Sequence, residues 1–344
     1  MKYIILPILA LLLGGCANAG VYVVDAGGPI DALKELKSAS RTIPRPMNMS
    51  SDGRIVYLLG RSEPDSLSVE GFSLSGEKCV DKKLPLLTEG YGSDGVALSP
   101  DGVYLAYMGI KEISSGPPPK PPEYCHWVNI YGDTGVLLKK ELPDWPEGQN
   151  IWLDKSRLLI VPFIDIQPSK PSILLVPSGE QKALANFGSG SSIRNARLSV
   201  TSKCVAFRRW EPCEITIYDF AKEQMVWRMA IKDWKSIGLE MAWDGDDVLY
   251  YSIGNEIYRY RIGGGSPEMV CQVKGRYRID VYGIDSKGRV HFSYQDPENL
   301  NWSGGGWCVC DPQTHQWKKL FDLHYIRDVV RSPDGRYFVV SVGM

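Results

Sequence analysis

One phrase recurs from end to end of this 344-residue chain: an alternating apolar stretch, a Ser-Pro-Asp-Gly-like turn, then a second apolar stretch. It is clearest at Ser99-Pro100-Asp101-Gly102 before Val103-Tyr104-Leu105-Ala106-Tyr107, and at Ser332-Pro333-Asp334-Gly335 before Arg336-Tyr337-Phe338-Val339-Val340. Asp-Gly between apolar runs marks a hairpin, because Gly takes positive φ and the Asp side chain bonds the local backbone. Weaker copies precede Arg54–Leu59, Arg157–Val161, Lys203–Phe207, Val248–Tyr251 and Arg289–Phe292, which makes seven in all. Their spacing of roughly 40 to 55 residues is the period of four-stranded propeller blades.

A third and a fourth strand follow each hairpin, as in Trp127–Tyr131 with Val136–Leu138, Glu214–Tyr218 with Gln224–Trp227, and Glu256–Tyr260 with Glu268–Cys271. The last copy stops at its second strand, and the missing pair lies at the other end of the chain, in Val21–Gly28 and Ala32–Leu36. The expected fold is therefore all-β: a seven-bladed β-propeller of four-stranded antiparallel blades, its ring closed by N-terminal strands that complete the last blade. The repeat runs without a linker, so residues 20–344 read as one domain behind a signal peptide at 1–19.

The Ser-Pro-Asp-Gly motif with its following strand resembles the WD40-like PD40 repeat of the TolB propeller and of the propellers attached to prolyl oligopeptidases. Only the copies at Ser99 and Ser332 match the motif in full. Such repeats specify structure, so the resemblance implies a fold and no catalytic residues.

At the N-terminus, Lys2 precedes a short apolar run, Tyr3 to Leu13, of the kind found in secretory signals and too short for a stable membrane span. Two cleavage sites compete. Leu13-Gly14-Gly15-Cys16 resembles a bacterial lipobox, which would make Cys16 the site of lipidation, whereas Ala17-Asn18-Ala19 fits ordinary signal peptidase. The lipobox is favoured, because a Cys directly after an apolar run and two small residues is the more demanding coincidence. By resemblance to lipoproteins, Ala17 implies the periplasmic face of an outer membrane, with a soluble secreted or periplasmic protein as the alternative. The chain carries 39 Lys and Arg against 40 Asp and Glu, a balance that argues against a nucleic-acid partner.

Beyond Cys16 the cysteines are Cys79, Cys125, Cys204, Cys213, Cys271, Cys308 and Cys310. Cys204 and Cys213 flank a predicted connection between two strands, and two readings stand for them: a disulfide, or two buried thiols. Cys308 and Cys310 fall on one face of a strand, at a spacing unlike zinc or thioredoxin centres. No His-x-His, His-Glu-x-x-His or Gly-x-Ser-x-Gly pattern is present, His291 reads as a hydrogen-bonded interior residue, and no metal or cofactor is expected.

In such a blade, the connections from strand two to three and from strand four to the next blade share the face opposite the Asp-Gly turns. That face holds the Pro-rich insertion Ser114–Tyr124 and the Gly-rich insertion Gln295–Gly306. It is also expected to carry Trp145, Arg194, Arg208, Arg209, Trp210, Trp234, Arg276, Tyr277, Arg278, Tyr325 and Arg327. Arg beside Trp and Tyr is the composition of binding hot spots, since guanidinium groups grip carboxylates and rings stack. The sequence thus points to a non-enzymatic, membrane-anchored propeller that binds an envelope protein or polymer through its loop-rich face. The alternative is a hydrolase or lyase acting on a polysaccharide, with carboxylates gathered at the central channel.

Overall fold

The computed structural model of the protein describes residues 19–28, 32–36, 45–50, 52–63, 66–85, 91–114, 123–142, 148–162, 170–187, 193–210, 212–232, 238, 240–275, 278–295, 305–323 and 325–343. Its strands form seven four-stranded antiparallel sheets. The first blade contains β3 (Arg45–Met49), β4 (Ile55–Glu63), β5 (Ser66–Ser73) and β6 (Lys78–Pro85), and the second β7 (Tyr91–Leu98), β8 (Leu105–Ser114), β9 (Glu123–Gly132) and β10 (Gly135–Leu142). The third has β11 (Gly148–Trp152), β12 (Arg157–Pro162), β13 (Ser172–Leu175) and β14 (Gln181–Ala183), and the fourth β15 (Ile193–Leu198), β16 (Cys204–Arg209), β17 (Glu214–Asp219) and β18 (Gln224–Ala230). The fifth has β19 (Ala242–Asp244), β20 (Val248–Ile253), β21 (Glu256–Arg261) and β22 (Glu268–Gln272). The sixth has β23 (Arg278–Ile284), β24 (Val290–Gln295), β25 (Trp307–Asp311) and β26 (Gln316–Phe321). The seventh joins the two chain ends: β27 (Ile326–Arg331) and β28 (Tyr337–Val342) pair onward to β1 (Gly20–Asp25) and β2 (Ala32–Leu36).

The closure inferred from the sequence is therefore present. β1 runs antiparallel to β28 from Gly20↔Val342 to Asp25↔Tyr337, and Ala26 N donates to Arg336 O at 2.8 Å. Around the ring, the first strand of each blade packs against the first strand of the next. Trp152 and Trp243 tie neighbouring blades at this inner circle, their indole N–H groups donating to the backbone oxygens of Ala97 (3.0 Å) and Arg197 (2.8 Å).

The second strand of a blade has a neighbouring blade on each side, and strand alternation sends its residues to both. In β12, Leu158 and Ile160 pack toward the second blade, beside Ala106, Val128 and Ile130, while Leu159 and Val161 pack toward the fourth, beside Val205 and Phe207. That is why these strands read as unbroken apolar runs. The fourth strand faces solvent on its outer edge, and β10 is mostly exposed.

The turn phrase folds the same way wherever it occurs in full. Ser99 Oγ donates to Asp101 Oδ1 (2.5 Å) and accepts from Tyr104 N (2.8 Å), and Ser332 does the same with Asp334 (2.6 Å) and Tyr337 N (2.8 Å). Gly335 sits at φ 70°, and a Cβ there would lie 2.8 Å from Ile284 O, so both conformation and space demand glycine.

Candidate functional site

The seven first strands surround an axial channel that holds a cavity of about 590 Å³ and, toward the Asp-Gly turns, a second of about 340 Å³. Four of these strands carry a β-bulge at which the register slips past a single residue, Met47, Arg194, Tyr282 or Arg327. A bulge leaves its extra residue out of the ladder and re-aims its side chain. All four of these residues line the larger cavity, so the bulges set what the channel presents.

Charge concentrates on the side of the fourth to seventh blades. Arg194 and Arg197 of β15, and Arg327 and Arg331 of β27, share the cavity wall with Glu240 and Asp328. Arg197 pairs with Glu240, whose carboxylate also accepts from Asn195 Nδ2 at 3.3 Å. At the loop-rich mouth, the Arg194 guanidinium lies 4.9 Å from the centre of the Trp210 ring, a cation–π contact. Arg327 lies flat across Gly343, where a Cβ would come within 2.1 Å of its Nε, so the glycine makes room for the cation.

Beneath this mouth lies Arg208, 4 % exposed. Its desolvation pulls its pKa down, Asp280 opposes that and Arg278 adds to it, so the three form one charged cluster between the fourth and sixth blades. Burying a guanidinium is costly, and the negative charge of Asp280 nearby offsets part of that cost. Tyr282 is held at the same place: it stacks on Trp307 with centroids 5.3 Å apart, and its hydroxyl bonds Ser293 Oγ at 2.8 Å. Desolvation, reinforced by Asp280, raises the Tyr282 pKa well above the phenol range, so it acts as a neutral hydroxyl. At the opposite end, Arg331 donates to Ile284 O at 2.6 Å and is itself largely desolvated.

Of the residues expected on the binding face, the structure brings Arg194 onto Trp210 and Arg208 near Arg278, places Arg194 and Arg327 on one cavity wall, and leaves Tyr325 exposed. Cys16, Trp145, Trp234, Arg276 and Tyr277 lie outside the described residues.

Arg209 has a different place from the one expected. Alternation turns it away from Arg208, toward the third blade, where its Nη1 donates to the buried Glu214 at 2.5 Å and its guanidinium lies over Phe187. It is a packing residue between blades. The Cys204–Cys213 disulfide is likewise corrected. Cys204 pairs with Asp219 at one end of the β16–β17 hairpin, whereas Cys213 adjoins the Arg209↔Glu214 pair at the other, and no disulfide joins them. Five strand residues separate their ends by roughly 17 Å, and Cα atoms more than ~7 Å apart cannot be bridged.

His291 is the interior residue expected. It is fully buried, with Nδ1 2.9 Å from Trp307 Nε1 and Nε2 3.0 Å from Asp285 Oδ2. An indole N–H only donates, so Nδ1 accepts and the neutral ring donates from Nε2 to the carboxylate. Asp285 also accepts from the backbone N–H groups of Lys287 and Arg289 and from Arg289 Nε, which with His291 hold its pKa down against desolvation.

Sequence reasoning missed Arg197, Glu240, Asp280, Asp328 and Arg331. The signal available was charge inside the first strand of a repeat, as in Ile326-Arg327-Asp328-Val329-Val330-Arg331, where the third blade has the uncharged Gly148-Gln149-Asn150-Ile151-Trp152.

No family model matches the chain, and no curated protein matches it. Solved structures do. An acylaminoacyl peptidase of Pyrococcus horikoshii is similar over 88 % of this chain at 15 % identity and TM-score 0.54, with 48 % of its own length covered. The chain thus spans about half the length of the acylaminoacyl peptidases it resembles. A chain of a mitotic checkpoint complex matches over 92 % of this chain and 98 % of its own at 13 % identity and TM-score 0.54. A β-propeller domain from Myceliophteria thermophila matches over 90 % and 98 % at 9 % identity and TM-score 0.53. At these identities the likeness is one of fold: the chain is a seven-bladed β-propeller.

Proposed function

We propose that this protein is a non-enzymatic, partner-binding propeller that captures an acidic protein segment at the loop-rich mouth of its channel. The observation that carries the reading is the presence of Arg194 of the fourth blade and Arg327 of the seventh on the wall of the larger cavity, with Arg208 and Arg278 in a second basic cluster between the fourth and sixth blades. Guanidinium groups bind carboxylates through paired, charge-assisted hydrogen bonds, and Trp210 beneath Arg194 adds the ring that interface anchors favour. Of the carboxylates that line the larger cavity, Glu240 pairs with Arg197 and Asp328 accepts from Ser341 Oγ at 3.3 Å, an arrangement of ion pairing and hydrogen bonding rather than of proton transfer. This favours binding over the hydrolase or lyase alternative. A propeller of the same fold works within a mitotic checkpoint complex, in keeping with a role in protein assembly.

The setting we propose is the cell envelope, with lipid on Cys16 holding the propeller at a membrane and the resemblance to TolB-like repeats in support. The test is capture from envelope extract by immobilised protein, wild type against Arg194→Ala/Arg278→Ala, each checked by a melting curve. Anchors of this kind commonly cost more than ~2 kcal/mol each when truncated, roughly thirtyfold in affinity. Loss of capture with an unchanged melt is expected, and undiminished capture would reject the reading. Retention of an acidic polymer in place of a protein would correct the partner class.

A further inference from the structure

The blades meet largely through side chains, and at the seam between the fifth and sixth blades those side chains include three buried thiols. Cys271 lies on β22, the outer strand of the fifth blade, and Cys308 and Cys310 on β25 of the sixth. All three are fully buried and belong to one apolar cluster with Val270, Val290 and Phe292. The two β25 cysteines share a face, as their spacing implies, yet their sulfurs are engaged differently. Cys308 Sγ donates to Gly306 O of its own blade (3.6 Å), whereas Cys310 Sγ reaches across the seam to the backbone oxygen of Val270 (3.6 Å), the residue that precedes Cys271 in β22. His315 Nδ1 meets the same Val270 oxygen at 3.0 Å, so that crossing stays bonded whatever the thiol does.

We propose that Cys271 and Cys310 are a disulfide-forming pair that locks the fifth blade to the sixth when the chain folds in the presence of a disulfide oxidant. One cysteine thiolate attacks a sulfur of the oxidant, breaking its S–S bond, and the expelled thiolate takes up a proton. The second cysteine, losing its proton, then attacks the mixed disulfide. The Cys271–Cys310 bond forms, two electrons and two protons have passed to the oxidant, and it leaves as two thiols.

The folded surroundings also fix when this happens. The neighbouring Cys271 thiol, together with desolvation, raises the Cys310 pKa far above the thiol range, and desolvation pushes Cys308 up to about 12. Protonated thiols do not exchange, so the bond forms before the two blades close, and once formed it is sealed from reductants. It closes a loop of roughly forty residues, which by chain-entropy reasoning raises Tm on the order of 5 °C.

The test is to unfold the purified protein in denaturant with reductant, refold it with oxidised or with reduced glutathione, block free thiols with N-ethylmaleimide in denaturant, and map the digest by mass spectrometry. After oxidative refolding, the peptide of Cys271 should be joined to the peptide of Cys308 and Cys310, with Tm several degrees above that of the reduced form. The cross-link should persist in Cys308→Ala and vanish in Cys310→Ala. Where Cys308→Ala fails to refold, Cys308→Val, which keeps the cluster filled, takes its place. Alkylated Cys271 after oxidative refolding of the wild type, or a cross-link that survives in Cys310→Ala, would overturn the assignment.

Discussion

Deleting residues 20–36 removes β1 and β2 and leaves the seventh blade with only β27 and β28. With them go the buried side chains of Val21, Tyr22, Val23, Val24 and Leu36, which pack against Phe338, Val339 and Val340 on one side and against the first and sixth blades on the other. At a lower figure of ~1.5 kcal/mol for each buried side chain the loss is about 7 kcal/mol, or near 5 kcal/mol once the compactness of the unfolded chain is allowed for. That is comparable with the whole stability of a typical domain, about 5–15 kcal/mol. The deletion also bares the edge of β28 along the six residues that pair with β1, and an exposed edge recruits other chains. Circular dichroism melts and sedimentation velocity are expected to show a collapsed Tm and self-association. A graded version guards against simple misfolding: Val24→Ala should cost about 2 kcal/mol in urea unfolding, while exposed Glu35→Ala should change stability by less than ~0.5 kcal/mol. A monomeric deletion variant that melts within a degree or two of the full chain would refute closure through the N-terminus.

Three other outcomes are expected. Asp285→Asn should cost about 2–4 kcal/mol at neutral pH, because the carboxylate holds four donors. Since the folded pKa of Asp285 is depressed, its contribution is complete above the ordinary carboxylate pKa of about 4 and fades as pH falls through the lower folded value, so the variant's stability should vary less with pH on the acid side. Gly335→Ala should cost more than ~1 kcal/mol by chemical denaturation, from positive φ and the backbone oxygen 2.8 Å from its Cβ. Cys16→Ala should move the protein from the membrane fraction to the soluble fraction, and a wild-type mature chain found by intact mass to begin at Gly20 without lipid would reject the anchor.

The fold was legible because its determinants are local. Ser, Asp and Gly at fixed offsets close the same turn at Ser99 and Ser332 by the same hydrogen bonds, and the apolar runs between turns count the strands. The incomplete last repeat told where the first strands must go. The site was legible only in composition. Which residue of a first strand faces the channel depends on where the bulge falls, and nothing in Ile193-Arg194-Asn195 or Ile326-Arg327-Asp328 marks the slip that sends both arginines inward. Parity explains the error at Arg209, whose neighbour Arg208 faces the cluster while it faces Phe187. The cysteines make the same point. Cys204 and Cys213 are close in sequence and lie at opposite ends of a hairpin, whereas Cys271 and Cys310 are remote in sequence and meet only because two blades pack.

Equilibrium binding of a fluorescent oligoglutamate peptide, measured by anisotropy at low salt, tests the arginine-lined mouth most directly. The account predicts saturable binding that weakens with added salt, at least roughly thirtyfold weaker binding by Arg194→Ala/Arg278→Ala at an unchanged Tm, and no binding of an oligolysine peptide. Equal binding by the wild type and the double variant, or a preference for oligolysine, would contradict it.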